Sequence, residues 1–263
     1  MTQDRLKITI IGAGNVGTHL AMKLHAVGYP IEQVFSRKRA KAKALADKCE
    51  SEAITELKSI RPDADLYLIA IPDDALPDIT SVLQLQDKVA AHTSGAASSS
   101  ILEPVTPFCG VMYPMQSFTR TAETPADFAV VVHSEVEIVS KILGKVARSL
   151  TDNVLHLDDK QRLVLHVAAV LVNNFPNHLY VLADKLLASA NVSFDVMFPL
   201  LKETTRKALS EPPITAQTGP AKRSDFKTIQ AHLDLLNDQP SLKDIYLAIT
   251  ESIIESEKNR AAQ

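Results

Sequence analysis

Cysteine is nearly missing from this sequence, with Cys49 and Cys109 the only two. Two thiols cannot build a disulfide framework, and without a CxxC spacing they do not suggest a zinc site. Both are expected to be reduced, Cys109 as a small core residue of a strand. Long apolar runs are lacking too. The stretch from Leu163 to Val172 is interrupted by His166 and falls short of the roughly 20 residues that span a bilayer. No apolar signal core follows Asp4, Arg5 and Lys7, so a soluble cytoplasmic protein is expected. Nor is there an excess of positive charge. With 28 Lys and Arg against 31 Asp and Glu, the net charge of −3 gives no general reason to bind nucleic acid or an anionic membrane. Internal repeats are absent, and no His, Asp or Glu spacing matches a metal-ligand set.

What is present is concentrated near the start. Leu6 to Gly17, LKITIIGAGNVG, runs from a β-branched apolar stretch into GxGxxG and on into a helical pattern. Each glycine has a physical role in a pyrophosphate cradle. Gly12 permits the tight turn, Gly14 lets the backbone approach the phosphates, and Gly17 lets the helix lie close on the strand. Free N–H groups of Ala13, Asn15 and Val16 around the helix start would face the anion. The alternative is a chance match in another α/β loop.

The second strand, IEQVFS, ends in Ser36, Arg37, Lys38 and Arg39. NAD-binding loops place an acid there for the ribose 2′-hydroxyl, whereas a hydroxyl and cations suit a 2′-phosphate. NADP(H) is therefore expected over NAD, unless the cations are merely a solvated helix start. The same feature argues against an S-adenosylmethionine enzyme.

Further apolar runs are expected as strands at Asp65 to Ile71, Lys88 to His92, Phe108 to Met112, Phe128 to His133 and Asn153 to Leu157, with helices over Ala75–Leu85 and Glu135–Leu150. Strands alternating with helices define an α/β fold, a Rossmann-type doubly wound parallel sheet whose ligands sit beyond the carboxyl ends of the strands. Residues at those ends become cofactor candidates, Ile71-Pro72 and Ser94-Gly95, and Thr93 joins them as a site candidate. His92 is a candidate for proton transfer. Ser94 and the Gly95 backbone could orient an amide or carboxylate, or simply form a turn.

From Asp158 the pattern is helical throughout, so the expected domains are 1–157, a Rossmann domain, and 158–263, an all-helical substrate and dimerisation domain. Apolar residues recur at helical spacing from Leu163 to Leu187, with Pro176 expected to kink or break the helix. Further helices are expected over Ser193–Ser210, Ser224–Asn237 and Ser241–Lys258, the last two with serine N-caps, and a long loop over Glu211–Arg223. His166 and Asn173 share a helical face, and Asn174 neighbours His178. Polar groups within an apolar helix are costly unless paired, so they either make interhelical hydrogen bonds or face a cleft. Arg223 could hold a carboxylate or phosphate, with Asp225 fixing it or capping the next helix. His166 is the first candidate for the proton donor because imidazole titrates near neutral pH; Asn174, Arg223 and His92 complete the catalytic set.

Taken together, GAGNVG, IAIPDDAL, HTSGA, YPMQSF, HVAAVLVNN and TGPAKRSDF, with His232 after them, resemble a bacterial group of Rossmann-like proteins carrying a C-terminal helical domain of uncharacterised function. That group is provisionally labelled NADP oxidoreductases and lies within the superfamily of 6-phosphogluconate dehydrogenase, pyrroline-5-carboxylate reductase and deazaflavin-dependent NADP oxidoreductases. The resemblance implies a homodimer formed through the helical domain. It implies no substrate beyond a small polar carbonyl, imine or hydroxy compound. The competing reading is a non-catalytic NADP-binding sensor or scaffold.

Overall fold

The computed structural model describes residues 5–119 and 127–262. The chain forms two compact units, Met1–Asn174 and Phe175–Gln263. The division falls beyond Leu157, where the change to helical texture placed it, because the first helix after that residue is anchored to the sheet unit through the side chains described below.

The first unit is built on an eight-stranded sheet in the order β3-β2-β1-β4-β5-β6-β7-β8. Its strands are β1 (Ile8–Ile11), β2 (Ile31–Phe35), β3 (Glu52–Ile54), β4 (Leu66–Ile69), β5 (Val89–His92), β6 (Cys109–Met115), β7 (Ala129–His133) and β8 (Val154–His156). All neighbouring pairs are parallel except β6 and β7. The expected parallel sheet is thus extended by two strands of the opposite direction. β6 runs three residues past its expected end, through Tyr113 and Pro114, because β7 supplies it with an antiparallel partner.

The continuous apolar strands are covered on both faces, as their sequence implies. Ile8, Ile10, Leu66 and Leu68 pack with Leu20 and Leu24 of α1 (Asn15–Ala26) and, farther along, Leu143 and Val146 of α4 (Glu137–Arg148). Their neighbours Ile11, Tyr67 and Ile69 face the opposite side with Leu76 and Ile79 of α3 (Leu76–Thr80). On the α1 face lies α2 (Arg39–Ala46), against β2 and β3, with Leu45 and Ala46 in the same core cluster as Leu20 and Leu24. The helix expected over Ala75–Leu85 is cut short, and Leu83 and Leu85 reach the core from an irregular segment. β3 was not expected. Its edge pairing is supported by buried Gln33, whose amide nitrogen donates to Glu52 and whose oxygen accepts the Arg61 N–H.

α5 (Asp159–Ala169) opens with a capping box between Asp158 and Gln161 and ends in a π turn, Val170–Asn174. Pro176 accounts for the irregularity, since it supplies no N–H to the carbonyl four residues back.

The second unit contains α6 (Phe175–Ser189), α7 (Phe198–Ser210), α8 (Pro213–Ala216), α9 (Phe226–Leu235) and α10 (Pro240–Ala261). α8 interrupts the stretch expected to be a loop. The expected serine caps are replaced: Asp225 caps α9, while α10 starts after Gln239 with Pro240 in its first turn. Ser224 instead adopts a left-handed conformation, φ 54°. Among the described residues no helix is long and apolar enough to cross a membrane.

Candidate active site in the sheet unit

The glycine loop joins β1 to α1 at the point where the strand order reverses, between β1 and β4. Gly12 has φ 117°, and a Cβ there would lie 2.2 Å from the Ala70 carbonyl oxygen. A Cβ on Gly17 would fall 1.9 Å from the Gly12 oxygen. These two glycines therefore permit close packing. Gly14 differs, because among the described residues nothing lies within 4 Å of its Cβ position. That open space, beside the N-terminus of a 12-residue helix with no acid in its first turn, suits an anion approaching the backbone. The first intrahelical bond runs from the Thr18 N–H to the Gly14 oxygen, so the N–H groups ahead of it have no acceptor in the helix. Ala13 is buried beneath the loop, and the Asn15 amide donates to the Phe118 carbonyl at 2.9 Å.

Two cavities in this unit collect loop residues from the carboxyl ends of the strands. One, of about 410 Å³, is lined by Phe35, Arg37, Leu57, Ile71 and Pro72 among others. Arg37 and Lys38 are exposed, and the Ser36 hydroxyl accepts the Lys38 N–H at 3.3 Å. Thr55, Glu56, Lys58 and Asp78 also line this slot, so carboxylates share it with the apolar residues, and Arg37 and Lys58 are the cations there that could meet the 2′-phosphate of an adenosine. The second cavity, of about 470 Å³, is lined by Val16, Thr93, Tyr113, Gln116, His166 and Asn173, with Asn174 also on its wall. Among the described residues no Asp, Glu, Lys or Arg lines it.

His166 enters the second cavity from α5. Its Nδ1 lies 3.1 Å from the Tyr113 hydroxyl, with the rings edge to face at 5.8 Å. Burial raises the Tyr113 pKa, which keeps the phenol neutral. Gly95 makes room for the pair, since a Cβ there would lie 2.6 Å from His166 Nδ1 and 3.1 Å from Tyr113 Cζ. The motif glycine of HTSGA thus serves the imidazole.

His92 does not fit the proton-transfer role its position suggested. It is fully buried, and both ring nitrogens are occupied: Nε2 lies 3.1 Å from the Ser98 oxygen and Nδ1 accepts the Ser94 N–H at 3.1 Å. Burial first, and the nearby Arg162 cation second, push its pKa down to about 4. His92 therefore shapes the loop as a neutral ring. Ser94 also organises the turn: its hydroxyl donates to Asp73 at 2.7 Å and accepts the N–H groups of Ala96 and Ala97 at 3.0 and 2.8 Å. Thr93, a site candidate from the HTSGA segment, is the residue of this loop that reaches the cavity wall.

Two further residues were not singled out. Arg162 is fully buried; its guanidinium donates to the Ala97 carbonyl and to Asp159 Oδ1, the latter at 2.7 Å. The other Asp159 oxygen accepts from the Ser99 N–H and the Ser98 hydroxyl, both at 2.8 Å. Burial opposes ionisation of Asp159, but the Ser99 N–H, the Arg162 guanidinium and the Ser98 hydroxyl outweigh it and bring the carboxyl to about 2. A charged i,i+3 pair on a helix ordinarily reads as surface, which concealed its burial in the sequence.

In the second unit Arg223 is exposed, on the segment following Gly219. Neighbouring Lys222 donates to the Gln217 carbonyl at 2.7 Å. Asp225 accepts from the Thr228 N–H and hydroxyl, bonds that hold its carboxyl below the usual range. His232 Nδ1 is 2.8 Å from the Tyr246 hydroxyl. Among the described residues no three His, Cys, Asp or Glu side chains gather as a metal site.

The fold and loop define a Rossmann-type nucleotide-binding unit followed by a helical unit. A family model described as a Rossmann-like domain matches residues 1–115, and one described as a domain of unknown function (DUF2520) matches residues 129–253. A crystal structure of a "putative NADP oxidoreductase" from Bacteroides fragilis is 36% identical, covering 95% of this chain and 98% of that one with a TM-score of 0.88. A Thermotoga maritima protein is 20% identical over 95% of this chain and 99% of its own, with a TM-score of 0.80. The reductive aminase of Aspergillus terreus, in complex with NADPH and ethyl-5-oxohexanoate, shares the fold at 17% identity, 97% and 94% coverage and a TM-score of 0.67. No curated protein matches the sequence. The chain belongs to the family of Rossmann-like proteins that carry this C-terminal domain.

Proposed function

We propose that the protein is an NADP(H)-dependent oxidoreductase that transfers hydride to or from a small carbonyl, imine or hydroxy compound. The observation that carries this reading is the open Gly14 backbone at the α1 N-terminus, with a slot of mixed lining that includes Arg37 and Lys58 on one side and a second cavity holding His166 on the other. The pyrophosphate would lie on the loop, and Ser36, Arg37 and Lys38 would hold the 2′-phosphate. The nicotinamide would reach the second cavity, where His166 is the proton donor or acceptor and Thr93, Asn173 and Asn174 supply neutral hydrogen-bonding groups. A neutral wall favours an uncharged reacting group, since a fixed charge would need a partner there. The name given to the Bacteroides fragilis protein, and the NADPH held by the reductive aminase, support the cofactor assignment.

The protein would act as a homodimer through its helical unit. Only Thr250 is buried on the 22-residue α10, and Phe198, Leu200, Leu209 and Leu235 are exposed.

Titration with NADPH and NADH tests the cofactor, followed by turnover of a panel of uncharged ketones, imines and alcohols. NADPH should bind more tightly, and Arg37→Ala with Lys38→Ala should weaken NADPH about 10- to 100-fold while leaving NADH nearly unchanged. Equal affinity for both dinucleotides would reject the 2′-phosphate site.

A further inference from the structure

We infer that Tyr113 is a positioning residue that holds neutral His166 with its proton on Nδ1, leaving Nε2 as the atom that exchanges a proton with the substrate. The inference rests on the oxidoreductase reading above and deepens it.

The geometry is specific. Tyr113 lies on the extension of β6 and His166 on α5, and Nδ1 of the ring is the atom 3.1 Å from the phenol oxygen. Among the described residues no other hydrogen bond or ion pair engages the His166 side chain, so Nε2 has no competing partner there. Both side chains line the same cavity, and among the described residues that cavity offers no carboxylate, lysine or arginine as an alternative acid or base. The absent side chain of Gly95 completes the arrangement, because even a methyl group there would overlap His166 Nδ1.

A neutral imidazole carries one proton. If it stays on Nε2, that nitrogen has no lone pair with which to accept another. With the proton on Nδ1 and donated to the Tyr113 oxygen, Nε2 keeps its lone pair toward the cavity. Bound NADPH would supply the hydride to the substrate carbon; the C=O π pair would then move to oxygen, and imidazolium Nε2–H would give that oxygen its proton, so that the step balances. The products are an alcohol, NADP⁺ and the Nδ1–H imidazole, still bonded to Tyr113. In oxidation Nε2 takes the alcohol proton. Tyr113 begins and ends each cycle neutral, as its burial favours.

The test is nitrogen NMR of the full-length protein carrying ¹⁵N-histidine, in the neutral-imidazole range, with His166→Gln identifying the resonance. The expected result is a protonated Nδ1 in the native protein. Tyr113→Phe should shift the tautomer ratio toward Nε2–H by about fivefold, the equivalent of one ordinary hydrogen bond. Gly95→Ala should shift it in the same direction through steric displacement. An Nε2–H ring in the native protein, or an unchanged ratio in Tyr113→Phe, overturns the assignment. In the kinetic arm, His166→Gln should lower kcat by about 10²–10⁴-fold and Tyr113→Phe by about tenfold, with KM nearly unchanged. Failure of NADPH to bind while the tautomer is as expected would reject the oxidoreductase reading and leave the Tyr113–His166 pairing standing.

Discussion

Asp159 and Arg162 stand one turn apart on α5, joined by a 2.7 Å charged hydrogen bond, and each also reaches back to the loop after β5. The guanidinium has no access to solvent, so removing the carboxylate would leave a buried cation with one fewer partner. Asp159→Asn should therefore cost about 3 kcal/mol in chemical denaturation, the low end for breaking a buried pair. Because the folded carboxyl titrates at about 2, below its usual 3.8, this contribution is complete above pH 3.8 and disappears as pH falls toward 2. A denaturation midpoint in the variant that still falls over that window as steeply as in the native protein would assign the acid sensitivity to other carboxylates.

His92 gives a second pH dependence with a different window. Its folded pKa of about 4 is depressed from 6.5, so the unfolded chain binds the extra proton first as pH drops. Stability should fall between pH 6.5 and 4 by roughly 3 kcal/mol, and His92→Gln should flatten that slope while lowering stability at neutral pH. Urea unfolding across this range measures both.

The glycines of the loop should separate folding from binding. Gly12→Ala places a methyl group against the Ala70 backbone at an unfavourable positive φ, and should lower stability by about 2–3 kcal/mol without any cofactor present. Gly14→Ala meets no protein atom within 4 Å and should leave the cofactor-free Tm nearly unchanged, yet weaken NADPH at least about tenfold. Thermal melts with and without NADPH distinguish the two; intact NADPH affinity in Gly14→Ala would place the pyrophosphate elsewhere.

The exposed apolar residues of the helical unit lead to a hydrodynamic prediction. Light scattering at micromolar concentration should give twice the chain mass, and dilution should lower Tm because folding and association are linked. A monomeric mass at that concentration would show that those side chains serve another purpose.

Much of the first unit was legible because its strands are short apolar runs between turn residues, and a buried parallel sheet demands that pattern. Glu52–Ile54 was not, since a three-residue edge strand carries almost no periodicity and depends on Gln33 and β2. The glycine loop announced a nucleotide, but Gly95 could be read only as a backbone contact to a ligand or a turn. Its function is to admit a ring from 71 positions later in the chain. His166 was recognisable as costly polarity in an apolar helix. Tyr113 was not, because its role depends on the unexpected continuation of β6 through Pro114, and Arg162 looked like a surface cation until the loop closed over it.

The bonds from Asp159 and Arg162 also decide where the nucleotide-binding unit may be cut. A fragment ending at Leu157 would retain every strand of the sheet and the whole glycine loop, but the turn after β5 would lose the anchors that shape it. A fragment extended to Asn174 keeps them, together with His166, Asn173 and Asn174 on the wall of the second cavity. A Rossmann-like sheet is therefore a smaller object than the unit able to present this site.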